Sequence, residues 1–297
     1  MLLALALGLA LTPPCFGAAS RDPEHPCVND ALRMTVTPTV AEARALPNSP
    51  CRSIDPGSPV VCRFGVPDGP ETFALVGDSH AGHWRAAFEY VAAAKGWSGL
   101  SITQTSCPLQ TALRDLPEPR RTQCRRWKAD VFAWFAVHPE VRTLFVAGLS
   151  GGSGVVAPRG TSRFEASVRG HLDAWAALPG RRIVVVRDTP KFRGSTDVCV
   201  TRALRRGRQP GTTCSLPRSF SLVRDPAVAA AGRAGLGVLD LSPFFCAQRC
   251  YPVIGGALVV RDANHMTGTY SATLGPYVLR ALDRLISYPT KVWARGR

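Results

Sequence analysis

From residue 71 onward the chain alternates short apolar runs with stretches of helical period. The runs at 72–76, 98–103, 143–147, 182–187 and 237–241 are mostly apolar and rich in β-branched residues, the mark of strands covered on both faces. Between and after them, apolar positions recurring every three or four residues predict helices over about 82–95, 124–138, 163–177, 218–234 and 269–286. Strands and helices in alternation imply parallel strands joined by right-handed crossovers. The expected architecture is therefore an α/β domain, a three-layer, doubly wound, mostly parallel sheet. Residues 13–70 are rich in Pro, Gly and Cys and carry little periodicity. They read as an irregular, disulfide-pinned lead-in, with the main domain over 71–297.

The first residues, Met1 to Leu11, are continuously apolar but too short to span a bilayer alone. Residues 1–12 fit either a leader or the stub of a membrane helix, although no positive segment precedes the apolar one. Gly17 and Ala19 mark a possible cleavage site after Ala19, but cutting there would discard Cys15 and leave an odd number of cysteines. A third reading is that Met1 is internal to a longer membrane protein.

Ten cysteines lie along the chain without the repeated CxxC pairs of a zinc ribbon, a pattern that favours disulfides in an oxidising compartment over metal. Spacing alone does not give the connectivity; near neighbours make the simplest pairing: Cys15 with Cys27, Cys51 with Cys62, Cys107 with Cys124, Cys199 with Cys214, and Cys246 with Cys250. No His, Cys, Asp and Glu cluster has metal-ligand spacing, so neither metal nor cofactor is expected. The net charge of +15 and pI of about 10.0 are carried mostly by arginine. Arginines cluster only at Arg120-Arg121, Arg125-Arg126 and Arg202 to Arg208, and no nucleic-acid module is visible. An anionic membrane or cell wall is the better fit for such a surface, beside the plain alternative of an arginine-rich proteome.

Two clusters carry candidate chemistry. Gly77-Asp78-Ser79-His80 closes the first core strand, and Asp262-Ala263-Asn264-His265 precedes the last helix. A serine hydroxyl is a weak nucleophile until an imidazole takes its proton, and a carboxylate fixes that imidazole's tautomer. Ser79, His265 and Asp262 are of these three types, and the three-residue spacing brings Asp262 beside His265. Ser79 would also open a helix, where free amides favour a developing oxyanion. Each cluster also has a plain structural reading, as a helix cap or a polar turn. A competitor is Gly148-Leu149-Ser150-Gly151-Gly152, which matches the G-x-S-x-G elbow. The residues after it, through Pro158 and Gly160, are a poor helix start, so a flexible loop at the rim of the site is the better reading. His83, one helical turn after Ser79, is placed either at the border of the site or, as the better reading, on the surface.

Gly77 through Trp84 and Asp262 through Thr267 resemble the first and last blocks of the SGNH (GDSL-like) hydrolase superfamily. More narrowly, they resemble the SGNH domain fused to acyltransferase-3 membrane proteins. Cys62-Arg63-Phe64-Gly65, Cys124 through Trp127, Asp188-Thr189-Pro190 and Asp240 through Cys250 share in the likeness, and so does the early block around Cys15. The resemblance implies a flavodoxin-like SGNH fold with Ser79 as nucleophile, His265 as general base and Asp262 as its orienter. Asp78, His80 and Asn264 would be neighbours of the site, and the Ser79 amide an oxyanion donor. This chain departs from the superfamily in two places: the usual second-block glycine has no clear counterpart around 98–107, and Gly148 to Gly154 stands where a Gly-x-Asn-Asp block is expected. The usual oxyanion asparagine is therefore missing.

The function so implied is extracytoplasmic O-acyl transfer, O-acetyl in particular, to a cell-surface glycan through an acyl-serine. The acyl donor would be delivered by a membrane acyltransferase, as a separate chain or a missing N-terminal part. Two alternatives stay open: a secreted carbohydrate O-acetylesterase, and a catalytically silent glycan- or partner-binding domain.

Overall fold

The computed structural model describes residues 13–45, 51, 53–55, 58–150 and 154–287. The leader or membrane-helix stub expected over 1–12 lies outside them. Among the described residues, no helix is long and apolar enough to cross a membrane.

In chain order the sheet strands and principal helices are β1 (Ser53–Asp55), β2 (Val61–Gly65), β3 (Thr72–Gly77), α1 (Ser79–His83), α2 (Arg85–Lys95), β4 (Ser98–Thr103), α3 (Arg120–Val137), β5 (Thr143–Ala147), α4 (Arg163–Ala176), β6 (Arg182–Val186), α5 (Thr196–Arg205), α6 (Pro226–Ala234), β7 (Gly237–Leu239) and α7 (Gly268–Ser287). The seven strands form one sheet in the order β1-β2-β4-β3-β5-β6-β7. The last five strands of that order run parallel, and β2 adds antiparallel to β4 with Cys62 opposite Ser101. The reversal of strand order falls at β3, between β4 and β5. That is the switch point at which doubly wound sheets open a crevice at their carboxyl ends.

Side chains alternate across the sheet and build a core on each face. Phe73, Leu75, Phe145, Val184 and Val186 pack with Trp84 and Phe88 on the α2/α7 side. Ala74, Val76, Leu144, Val146 and Val185 pack with Trp127, Val131 and Phe135 on the α3 side. Strands with both faces buried are what made the runs read as almost unbroken apolar sequence. All five near-neighbour disulfides are present.

Some expectations need correction. Within residues 13–70, read as irregular, β1 and β2 extend the sheet. The helix expected over 218–234 is broken into a turn at Arg218–Ser221 and α6. The break follows from Asp225-Pro226. The residue before proline is pushed out of the helical region, and the Asp225 carboxylate caps the Ala227 and Val228 amides at 2.9 and 3.4 Å. Helix α5, absent from the sequence reading, is tied back by Cys199–Cys214. Its inward face, Thr196, Cys199, Val200, Ala203 and Leu204, keeps a helical period, but over ten residues only.

Candidate active site

Strand β3 delivers Ser79. The chain passes from strand to α1 within two residues: Gly77 takes φ of +150°, and the Asp78 carboxylate caps α1 by accepting the His80 amide at 2.8 Å. The Ala81 and Gly82 amides donate to the Asp78 carbonyl at 3.0 and 3.2 Å. Among the described residues, this leaves the Ser79 amide as the first-turn N–H without an acceptor.

His265 reaches Ser79 from the segment between a short hairpin and α7. Ser79 Oγ lies 2.9 Å from His265 Nε2, and His265 Nδ1 lies 2.8 Å from Asp262 Oδ2. The same carboxylate's other oxygen accepts the Asn264 and His265 amides at 2.9 and 2.8 Å, so Asp262 shapes the turn that carries the imidazole. Burial alone would raise the Asp262 pKa, but the His265 ring and these two amides outweigh it and hold the carboxyl well below its usual range. The His265 side chain is 27% exposed, so this edge of the site is open to a large substrate.

Beneath this line runs a second, buried network. His80 Nδ1 meets Asp188 Oδ1 at 2.6 Å, and Asp188 Oδ2 accepts both the amide and the hydroxyl of Ser150, at 2.7 and 2.9 Å. Asp78 accepts the Leu149 amide at 3.0 Å, and Asp225 accepts the Asp188 amide at 3.0 Å. Burial pushes the Asp225 carboxyl up, helped by the Asp188 charge, to about 6. For His80, burial works against the charged form, but the Asp188 charge and hydrogen bond, with Asp78 and the Asn264 side chain, prevail and raise its pKa to about 9.

Residues 49–280 match the SGNH domain (fused to AT3 domains) family. The chain belongs to that family. No curated protein sequence matches it. Among solved structures, it resembles the Salmonella ser. Paratyphi A lipopolysaccharide acetyltransferase periplasmic domain, at 12% identity and a TM-score of 0.55 over 75% of this chain and 86% of that one. At that identity the likeness is one of fold.

In this SGNH domain the two sequence clusters meet, and Ser79, His265 and Asp262 form one hydrogen-bonded line. Ser150 does not join it. Its hydroxyl is held by Asp188, whose other oxygen faces His80, so the elbow-like motif lacks a free base. The loop expected at the rim is anchored at Leu149 and Ser150 by two buried carboxylates, and 151–153 fall outside the described residues. Asp78 and Asp188 thus fasten the segment that replaces the Gly-x-Asn-Asp block.

His83 corrects another expectation: it is fully buried. Its Nδ1 accepts the Met266 amide at 3.2 Å, tying the residue after His265 to the helix that carries Ser79. Burial, with the neighbouring His80 and His265, holds its pKa well down, so the ring is neutral. Among the described residues His80, His83 and Asp188 lie close enough to share an ion; the two Nδ1 atoms are engaged, and the two Nε2 atoms are buried without a hydrogen-bond partner. With Nδ1 accepting from Met266, the His83 proton sits on Nε2, and His80 Nδ1 is held by Asp188.

The pairing of His80 has a thermodynamic signature. Its folded pKa of about 9 lies above the model-peptide value near 6.5, so the folded state binds the extra proton. Its contribution is fully present below about pH 6.5 and is lost as pH rises through about 9, on the order of 3 kcal/mol in all. Denaturant unfolding of the wild type and Asp188→Asn across pH 6–10 checks this: the wild type loses stability over that window relative to the variant. Parallel curves would show that His80 is not held charged.

Proposed function

We propose that this SGNH domain is an extracytoplasmic O-acyltransferase that passes an acyl group, acetyl in particular, to a glycan hydroxyl through an acyl-serine at Ser79. The observation that carries this reading is the unbroken hydrogen-bonded line Ser79–His265–Asp262 at the carboxyl end of the central strand. His265 Nε2 takes the hydroxyl proton as Oγ attacks the acyl carbonyl, and returns it to the leaving group. The Asp262 carboxylate steadies the imidazolium formed in between. The free Ser79 amide is the donor assigned to the oxyanion. A sugar hydroxyl, deprotonated by the same imidazole, then attacks the acyl carbonyl; the bond to Oγ breaks and the imidazolium returns the proton to Ser79.

Membership in a family fused to AT3 domains supports a membrane acyltransferase as the source of the acyl group. Likeness in fold to an acetyltransferase periplasmic domain supports acetyl as that group. Five disulfides support an oxidising compartment outside the cytoplasm.

The test is acyl release from an activated acetate ester by the purified domain, with and without an oligosaccharide acceptor, with products resolved by mass. Acetylated sugar is the expected product. Acetate released to water in both conditions makes the protein an esterase, and no Ser79-dependent turnover in either leaves a silent binding domain.

A further inference from the structure

Many basic residues of the described surface are matched by acids: Arg280 and Arg284 by Asp22 and Glu24, Arg169 and Arg233 by Glu165, Arg187 by Asp240. Arg114, Arg121, Arg125 and Lys128 are different. They line one cavity of about 410 Å³ whose walls carry no carboxylate, and among the described residues none of the four makes an ion pair.

The cavity is a product of local geometry. Arg121, Arg125 and Lys128 fall on one face of α3 at four- and three-residue spacing, and the segment 111–114 closes over that face. Lys128 is only 7% exposed, and its Nζ donates to the Gln110 and Ala112 carbonyls at 2.7 and 2.9 Å. Two of the three ammonium protons are so used, which leaves one. Burial, reinforced by the Arg114 charge, brings its pKa down to about 8. Arg121 and Arg114 each spend their Nε on a backbone carbonyl, Leu116 at 2.9 Å and Ser106 at 3.0 Å. Arg125 is exposed. Of the two buried cations, Arg114 lies in the field of Asp78 and Asp115, whereas Lys128 has no ion-pair partner among the described residues; a buried cation so placed is costly, and arginine forks suit carboxylate and phosphate oxygens.

We propose that this cavity binds an anionic group carried by a glycan, a carboxylate or a phosphate, with the arginine forks and Lys128 on its oxygens. Phe132 and Leu113, also in its lining, offer the apolar surface on which a sugar ring packs. A concave cavity of this size matches one substituted sugar unit better than the flat face of a bilayer. A short chain of bonds links the cavity wall to the strand that delivers Ser79. The Gln104 amide donates to the Gly77 carbonyl at 3.0 Å, Cys107 bonds back to Gln104, and Cys107–Cys124 ties that turn to α3. Holding an acceptor there for acylation rests on the reading of Ser79 as acyl carrier; the binding of an anion does not.

The test is calorimetric titration of the folded protein at about 50 mM salt, with trigalacturonate, inorganic phosphate, neutral maltotriose and phosphatidylglycerol vesicles as separate probes. Saturable binding of either soluble anion and none of maltotriose is expected. Arg125→Glu and the double variant with Arg121→Gln should weaken it about tenfold or more. The pair Arg202→Glu and Arg205→Glu on α5 should leave binding unchanged, and so should Ser79→Ala. The proposal is overturned if neither soluble anion saturates, if maltotriose binds equally well, or if the α5 pair causes the same loss. It is also overturned if only vesicles bind through Arg125, which would make the face a lipid contact. Anion binding by a protein with no ester turnover would remove the acyl-transfer reading and leave this site standing.

Discussion

Ser79→Ala is expected to lower ester cleavage and acyl transfer about 10⁴-fold, with KM for the acyl ester changed little. The loss falls on kcat because the hydroxyl forms the bond that breaks the substrate, whereas binding draws on the surrounding surface. Oγ is hydrogen-bonded to His265 Nε2 at 2.9 Å, so the variant removes one partner of a half-exposed pair. Its stability should stay within about 1 kcal/mol of the wild type. His265→Ala should match Ser79→Ala, and combining the two should add little, since both disable one unit. Asp262→Asn retains a carboxamide that no longer favours the charged imidazolium, and should lose a large part of the same activity. Steady-state kinetics with an activated ester give all four values. If Ser150→Ala removed activity while Ser79→Ala kept it, the site would have to be moved to the 148–154 segment.

Gly77→Ala is the substitution expected to cost most in stability. An added Cβ would stand 1.8 Å from the Ala147 carbonyl oxygen, and φ of +150° is in a region that side chains other than glycine rarely adopt. The clashing atom is backbone in the neighbouring strand β5, paired in register with Gly77, so it cannot swing aside. Relief requires β3 and β5 to separate at their carboxyl ends, where the loop anchored to Asp78 begins. A loss on the order of 3 kcal/mol is expected, together with loss of catalysis, because the same turn aims Ser79. Urea unfolding checks the first and ester turnover the second. A variant as stable as the wild type would mean that the turn is not strained against β5.

Much of the architecture was legible because burial leaves a trace in local sequence. Strands 72–76, 143–147 and 182–187 are covered on both faces, so nearly every position is apolar. The pairing of cysteines was open in the sequence, where near neighbours were only the simplest choice; the structure joins those neighbours in all five cases. Helix α5 went unread although Thr196, Cys199, Val200, Ala203 and Leu204 keep a helical period, because it spans only ten residues between two turns rich in Gly, Arg and Pro. The break before α6 could have been read from Asp225-Pro226, whose cap and missing amide end one helix and begin another.

The site divides in the same way. Its line of three was visible as residue types: a serine at a strand end, and an aspartate three residues before a histidine. Asp262 folds its own turn through hydrogen bonds to residues two and three positions on, and such local contacts are written in spacing. His83 looked like a surface residue because nothing near it in sequence announces the Met266 amide it accepts. Asp188 came into view through its resemblance block alone, with no hint that it would hold His80 on one oxygen and Ser150 on the other.

By itself, then, the sequence determined the α/β layering, the even number of cysteines that favours disulfides and the residue types of the proposed catalytic line, since each depends on composition, period or turn chemistry. Tertiary structure alone decided which serine meets a base, which cysteine pairs with which, and why the segment 148–150 is held by carboxylates. Those outcomes depend on which groups the fold brings within about 3 Å of each other. Hydrogen bonds and charge pairing act over that separation, and no local pattern records it.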